Sequence, residues 1–219
     1  MNSTLDQIGG YGIVPVAVIN DPAAALPLAR ALLAGGLPCI EVTFRTAAAA
    51  AAIATIARDC PDLLLGAGTV LSVEQVDRAL ECGARFIVAP GLNRKVVEYC
   101  LKRSVPVAPG VLTPSEMEAA LDLGLEVVKF FPAEASGGLK YLKAVSAPYK
   151  GLRFIPTGGI DESNLSSYLS FPAVLACGGS WMVSASLVDG KRFGEITALS
   201  ARATALVRAA RPAATVPAR

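Results

Sequence analysis

The chain alternates short apolar runs of strand length with longer amphipathic runs rich in alanine and leucine. Eight apolar runs recur at spacings of about 20 to 27 residues, which fits one strand, one helix of about three turns and two loops. They are residues 14–19, 39–44, 63–69, 86–90, 105–111, 127–131, 154–158 and 174–178. Such an alternation predicts a parallel sheet covered by helices.

Eight strand–helix units without a break in composition predict an α/β chain folded as a single (β/α)8 TIM barrel. We expect one domain over residues 1–211, opened by a short N-terminal helix, and a flexible tail over 212–219. An open doubly wound sheet is the alternative. No G-x-G-x-x-G motif follows the first apolar run, which leads into Asn20-Asp21-Pro22 and therefore favours the barrel.

Composition and charge narrow the range of partners. The 219 residues are 53% hydrophobic with a net charge of +2, and no basic cluster is interleaved with aromatic residues, which argues against nucleic acid. No apolar stretch reaches the roughly 18 residues that a membrane span needs, and no signal layout opens the chain. We therefore expect no membrane contact and a cytoplasmic location.

The content of cysteine and histidine limits the chemistry. Five widely spaced cysteines without C-x-x-C pairing predict reduced core residues rather than a metal or disulfide role. The sequence contains no histidine, which excludes Ser-His-Asp and Cys-His triads. Proton transfer must then depend on carboxylates, lysine, tyrosine or water.

Lys129 interrupts the apolar run 127–131, where a buried strand should carry only apolar side chains. Desolvating an unpaired ammonium costs several kcal/mol, so the lysine needs a reason to be there. One interpretation is a structural ion pair. The other is an amine kept out of water so that its neutral, nucleophilic form is favoured.

A polar face on the second predicted strand supplies a partner for this lysine. Glu41, Thr43 and Arg45 alternate with apolar residues and should point into the barrel. Glu41 and Lys129 would then share one enclosure, and we expect one water molecule between them. A buried ion pair without chemistry remains the alternative.

Two glycine-rich loops follow the last two predicted strands. Gly158-Gly159 and Gly178-Gly179-Ser180 lie where barrels of this kind often bind phosphate through backbone N–H groups. A short helix over 181–187 is predicted to follow.

A lysine, a carboxylate, an arginine and a phosphate cradle in one barrel predict Schiff-base chemistry without a cofactor. Lys129 would attack a ketone, and the iminium would accept electrons from the neighbouring carbon–carbon bond. Glu41 would act as general acid and base, and Arg45 would hold a substrate carboxylate through two parallel hydrogen bonds.

Seven motifs in order make the sequence similar to the 2-keto-3-deoxy-6-phosphogluconate aldolase family, which includes 4-hydroxy-2-oxoglutarate aldolases. The resemblance covers nearly all of residues 8–210. The motifs are Gly35-Gly36, Ile40-Glu41-Val42-Thr43-Phe44-Arg45-Thr46, Gly66-Ala67-Gly68-Thr69-Val70, Pro90-Gly91, Lys129-Phe130-Phe131-Pro132-Ala133-Glu134, Pro156-Thr157-Gly158-Gly159-Ile160 and Gly178-Gly179-Ser180-Trp181.

The resemblance implies a homotrimeric class I aldolase that splits a phosphorylated 2-keto-3-deoxy sugar acid into pyruvate and glyceraldehyde 3-phosphate. 4-Hydroxy-2-oxoglutarate, split into pyruvate and glyoxylate, is a further implied substrate. The implied roles are Schiff-base formation for Lys129, acid–base catalysis for Glu41, carboxylate binding for Arg45 and Thr69, pocket walls for Pro90 and Phe131, a substrate hydroxyl contact for Thr157, and phosphate binding for Gly158, Gly159, Gly179 and Ser180.

Other functions stay open at this point. The first strand and Asn20 lack an arginine that some galactonate-specific relatives carry, which favours the gluconate epimer over the galactonate one. A different phosphate-binding barrel, an isomerase or synthase that uses Lys129 and Glu41 as acid and base, is a second possibility. A non-catalytic sugar-phosphate-binding protein is a third.

Overall fold

The computed structural model describes residues 4–211 and confirms the α/β class. The strands are β1 (Ile13–Ala17), β2 (Cys39–Thr43), β3 (Leu64–Gly68), β4 (Phe86–Val88), β5 (Val107–Ala108), β6 (Gly110–Val111), β7 (Val127–Phe130), β8 (Arg153–Pro156) and β9 (Cys177–Gly179). The helices are α1 (Thr4–Tyr11), α2 (Ala25–Ala34), α3 (Ala49–Asp59), α4 (Val73–Glu81), α5 (Arg94–Lys102), α6 (Pro114–Asp122), α7 (Gly138–Ser146), α8 (Leu165–Leu169), α9 (Ala185–Asp189) and α10 (Phe193–Ala210). Each of the eight apolar runs contains strand residues, and the predicted tail lies outside the described residues.

All strand pairs within the two sheets are parallel. One curled sheet has the order β5-β4-β3-β2-β1-β9, and the other has the order β6-β7-β8. Pro109, which has no N–H to donate to a ladder, separates β5 from β6. The predicted strand 105–111 is therefore broken into two short pieces. Single parallel bridges, Phe154 to Val174 and Thr157 to Gly178, link β8 to the segment that contains β9.

Alternation along the strands sorts side chains between the two faces of the curled sheet. On β2, Ile40 and Val42 belong to the large apolar cluster between sheet and helices. Cys39 belongs to a second apolar cluster on the concave face, and Glu41 follows it two residues later on that same face. On β7, Val127 likewise belongs to the cluster on the concave face, and Lys129 follows it two residues later on that face. The polar face predicted for β2 is confirmed.

Helix ends follow local chemistry. Asp21 accepts a hydrogen bond from the N–H of Ala23 at the turn before α2, and Thr113 forms a capping box with Glu116 at the start of α6. Gly36, Gly83 and Gly124 follow helices with positive φ, a conformation that costs glycine little. These capping residues determine where the helices begin and end.

Helix α1 covers the end of the concave face where the strands begin. Ile8 is 1% exposed and packs with Val14, Phe86 and Val127 in the inner cluster. The N-terminal helix therefore closes this side with apolar contacts. Within residues 4–211, no helix combines the length and apolar character needed to cross a membrane.

Ile8→Ala should destabilise the fold by about 2–5 kcal/mol, because it leaves a cavity in the inner cluster. Urea unfolding measures the effect. Leu121→Ala, at a position 39% exposed on α6, is the control and should cost much less. Equal, small losses for both variants would contradict the packing of α1 against the sheet.

Candidate active site

Lys129 on β7 and Glu41 on β2 meet on the concave face. Lys129 Nζ lies 3.6 Å from Glu41 Oε1, and the residues are 5% and 3% exposed. Glu41 Oε1 is buried and accepts no hydrogen bond from any described residue. An amine and a carboxylate held in contact away from water can pass a proton between them or to a bound molecule.

Two glycine residues lie on the strands next to this pair, and one of them makes room for Glu41. A Cβ atom at Gly68 of β3 would overlap the Glu41 carboxylate. Gly110 of β6 is paired in register with Lys129, and a Cβ there would overlap the carbonyl of Pro90. The expected water between Lys129 and Glu41 is wrong, because 3.6 Å leaves no space for one. Gly68 leaves the space that the Glu41 carboxylate occupies.

The Phe131 ring lies next to the amine, and Arg45 and Thr69 contact each other. Lys129 Nζ lies 5.1 Å from the centre of the Phe131 ring, within the range of a cation–π contact. Arg45 Nε donates a hydrogen bond of 3.3 Å to Thr69 Oγ1, so the two residues predicted to bind a carboxylate lie together. Thr69 has φ of 56°, which is unusual for a β-branched residue and is a form of strain common at functional sites.

A pocket of about 430 Å³ opens at the ends of the strands. Arg45, Phe131 and Thr157 line it, as do the glycine loops after β8 and β9, including Gly158, Gly159, Gly179 and Ser180. Thr157 also lines a cavity of about 10 Å³ beneath the pocket, together with Glu41 and Lys129. The structure therefore brings the lysine, the carboxylate, the arginine and both glycine loops to one place.

The turn after β8 presents unpaired backbone N–H groups. Gly158 and Gly159 have φ of 99° and 82°, which only glycine adopts readily. Among the hydrogen bonds of the described residues, none is donated by the N–H groups of Gly159 or Ile160, and both residues line the pocket. Successive free N–H groups in a concave turn are suited to binding an anion.

Pro90 occupies a neighbouring position. It is half-buried and lines a separate cavity of about 300 Å³ with Val70 and Leu71. Its carbonyl adjoins Gly110, the residue paired with Lys129. Pro90 therefore borders the site through its backbone.

Two residues on the far side of the pocket, Ser184 and Ala185, were not among the predicted site residues. The predicted helix 181–187 is wrong as one element, since a 3-10 turn (Trp181–Val183) and α9 are separated by Ser184, whose ψ of 148° is extended. Ser184 and Ala185 line the pocket at this break. The serine before Ala185 was the available sequence signal for a helix start.

The cysteines are poorly suited to act as nucleophiles. Complete burial raises the pKa of the Cys39 thiol far above its usual range, and burial raises the pKa of Cys177 to about 12. These thiols are protonated at neutral pH, so Lys129 is the better candidate for a nucleophile.

Comparison with known proteins gives a consistent family. The model of the KDPG and KHG aldolase family matches residues 6–199. A 2-dehydro-3-deoxy-phosphogluconate aldolase of Treponema pallidum is 51% identical over 195 residues, which cover 89% of this chain and 93% of the relative.

Two solved structures share the architecture. The 2-keto-3-deoxy-6-phosphogluconate aldolase of Zymomonas mobilis ZM4 with 3-phosphoglycerate has a TM-score of 0.88 and 42% identity, covering 94% of this chain and 97% of that one. The KDPG aldolase of Legionella pneumophila, with pyruvate captured as a covalent carbinolamine, has a TM-score of 0.88 and 38% identity, covering 92% and 98%. On these matches and on the site described above, the chain belongs to the KDPG and KHG aldolase family.

Proposed function

We propose that the protein is a class I aldolase that cleaves 2-keto-3-deoxy-6-phosphogluconate to pyruvate and glyceraldehyde 3-phosphate. The observation that carries the proposal is the buried Lys129–Glu41 contact beneath a pocket lined by Arg45 and the glycine loops. 4-Hydroxy-2-oxoglutarate is proposed as a second substrate.

Lys129 Nζ adds to the C2 carbonyl and, with loss of water, forms an iminium. Glu41 removes the proton of the C4 hydroxyl, the C3–C4 bond breaks, and its electrons move to the iminium to form an enamine while the aldehyde leaves. Glu41 then returns the proton to C3. Water adds to the new iminium and releases pyruvate and the free amine.

The remaining site residues orient the substrate. The guanidinium of Arg45 and the hydroxyl of Thr69, already in contact, suit the C1 carboxylate. The backbone N–H groups of Gly158 and Gly159 suit the phosphate, with Gly179 and Ser180 on the other wall. We assign Thr157 to a substrate hydroxyl, and Phe131 and Pro90 to the wall near the amine.

We further propose that the strands close into one (β/α)8 barrel and one domain. The single bridges from β8 to the segment containing β9, and the position of β5 and β6 on either side of Pro109, support this closure. The homotrimer and the preference for the gluconate over the galactonate epimer rest on the sequence resemblance alone. A cytoplasmic location is likewise proposed, and the five free cysteines agree with it.

Lys129→Met should abolish pyruvate release from the phosphorylated gluconate- and galactonate-derived keto acids and from 4-hydroxy-2-oxoglutarate, because no amine remains to form the iminium. Pyruvate release is measured side by side for the three substrates. Lys140→Met, which removes an exposed amine on α7, is the control and should retain wild-type rates.

The Lys129→Met variant should stay folded in urea unfolding, because methionine fills similar volume and the substitution removes a desolvated amine. Loss of folding would favour the structural ion pair. Turnover that survives the substitution would favour an isomerase or synthase instead.

Gly68→Ala should lower turnover by about tenfold to a hundredfold, because the added Cβ overlaps the Glu41 carboxylate and displaces it from Lys129. Gly194→Ala, where a Cβ meets nothing within 4 Å, is the matched control. Steady-state kinetics measure the effect, and urea unfolding shows whether the variant is folded. A folded Gly68→Ala enzyme with wild-type turnover would contradict the role of Glu41.

A further inference from the structure

We propose that Glu134, Asn164 and Tyr168 form a brace that positions the glycine turn for phosphate, and that they are positioning residues for phosphorylated substrates. The inference rests on the proposed function and assigns a role to residues behind the pocket rather than in it. We call these three residues the α8 brace, since Tyr168 lies on α8 and Asn164 directly precedes it.

The three backbone carbonyl groups of the glycine turn, residues 157–159, all accept hydrogen bonds from residues outside the pocket. Thr157 O accepts a 2.9 Å hydrogen bond from the N–H of Ala133, and Gly158 O accepts one of 3.0 Å from the N–H of Glu134. Gly159 O accepts a 2.9 Å hydrogen bond from Asn164 Nδ2. Because a peptide group is planar, fixing each carbonyl also fixes the direction of the N–H on the next residue. The N–H groups of Gly158, Gly159 and Ile160 therefore point where these three donors set them.

Tyr168 holds Glu134 in place. The tyrosine is 1% exposed, and its hydroxyl donates a hydrogen bond to Glu134 Oε1. Burial, and secondarily the Glu134 carboxylate, raise the pKa of Tyr168 well above its usual value, so the hydroxyl remains a donor. Glu134 packs directly on the turn, since a Cβ at Gly159 would lie 2.6 Å from Glu134 Cβ. The side chain that Tyr168 fixes is thus the one that supports the turn.

Asn164 is fixed by its own neighbours. Its Oδ1 accepts a 2.9 Å hydrogen bond from the N–H of Asp161, and its backbone carbonyl accepts one of 3.2 Å from the N–H of Tyr168. Asn164 and Tyr168 are therefore connected through the backbone at the start of α8. Asn164 binds the loop after β8, and Tyr168 binds Glu134 in the loop after β7.

The proposed role of the brace predicts that substitutions in it impair some substrates and not others. Among the hydrogen bonds, ion pairs and ring contacts of residues 4–211, none joins a residue of the brace to Lys129 or Glu41, so the chemistry at the amine does not depend on them. 4-Hydroxy-2-oxoglutarate has no phosphate, and its second carboxylate is at C5, closer to the reacting carbon than a phosphate on the C6 oxygen. Disturbing the brace should therefore impair phosphorylated substrates and spare 4-hydroxy-2-oxoglutarate.

Tyr168→Phe is the test, because it removes one hydroxyl and keeps the ring. We expect KM for the phosphorylated keto acid to rise about tenfold, the size expected for one hydrogen bond to a charged group, with kcat within about twofold. Inhibition by inorganic phosphate should weaken by a similar factor, and kcat/KM for 4-hydroxy-2-oxoglutarate should change by less than about twofold. Glu134→Ala should behave like Tyr168→Phe, whereas Glu134→Gln keeps an acceptor and should restore most of the affinity.

Tyr149→Phe is the matched control, since the Tyr149 hydroxyl donates to Glu118 at 3.2 Å on the exposed surface. It should leave both substrates unchanged. Equal losses on both substrates in Tyr168→Phe, or no change on either, would overturn the brace. If the wild type releases no pyruvate but calorimetry shows phosphate binding weakened by Tyr168→Phe, the proposed activity fails and the brace stands.

Discussion

The site depends on the contact between one amine and one carboxylate on the apolar concave face of a curled parallel sheet. At 3.6 Å their attraction is roughly 4 kcal/mol at the effective dielectric typical of proteins, while desolvation costs several kcal/mol for each ion. The pair therefore adds little net stability. Glu41 Oε1 also accepts no hydrogen bond from the described residues, so its position is hard to explain by folding alone. Reactivity explains both the burial and the missing partner.

The residues proposed to react with the substrate and those proposed to bind its phosphate lie on different parts of the fold. Lys129 and Glu41 lie on strands, where neighbouring strands fix the backbone, and the proposed phosphate cradle is a loop whose backbone carbonyls accept hydrogen bonds from residues behind it. Binding energy gained at a remote phosphate can hold the reacting carbon near the amine, which is more useful than tighter binding at the reacting centre itself. The α8 brace would keep that anchor at a constant distance from the amine.

Sequence reasoning succeeded where the physical constraint is local. Alternation on β2 placed Glu41 on the same face as Lys129, and the paired glycines identified the turn at Gly158. It failed where the outcome depends on residues far apart in sequence. The direct Lys129–Glu41 contact depends on Gly68 of another strand, and no local pattern reveals that space. The role inferred for Tyr168 depends on Glu134, 34 residues earlier, and its sequence setting shows only an apolar helix face.

The central claim is that Lys129 itself forms the covalent bond to substrate. Reduction with borohydride in the presence of pyruvate, followed by peptide mapping by mass spectrometry, tests it directly. The account predicts one pyruvyl adduct per chain, located on Lys129. No adduct, or an adduct on an exposed residue such as Lys140 or Lys143, would contradict it.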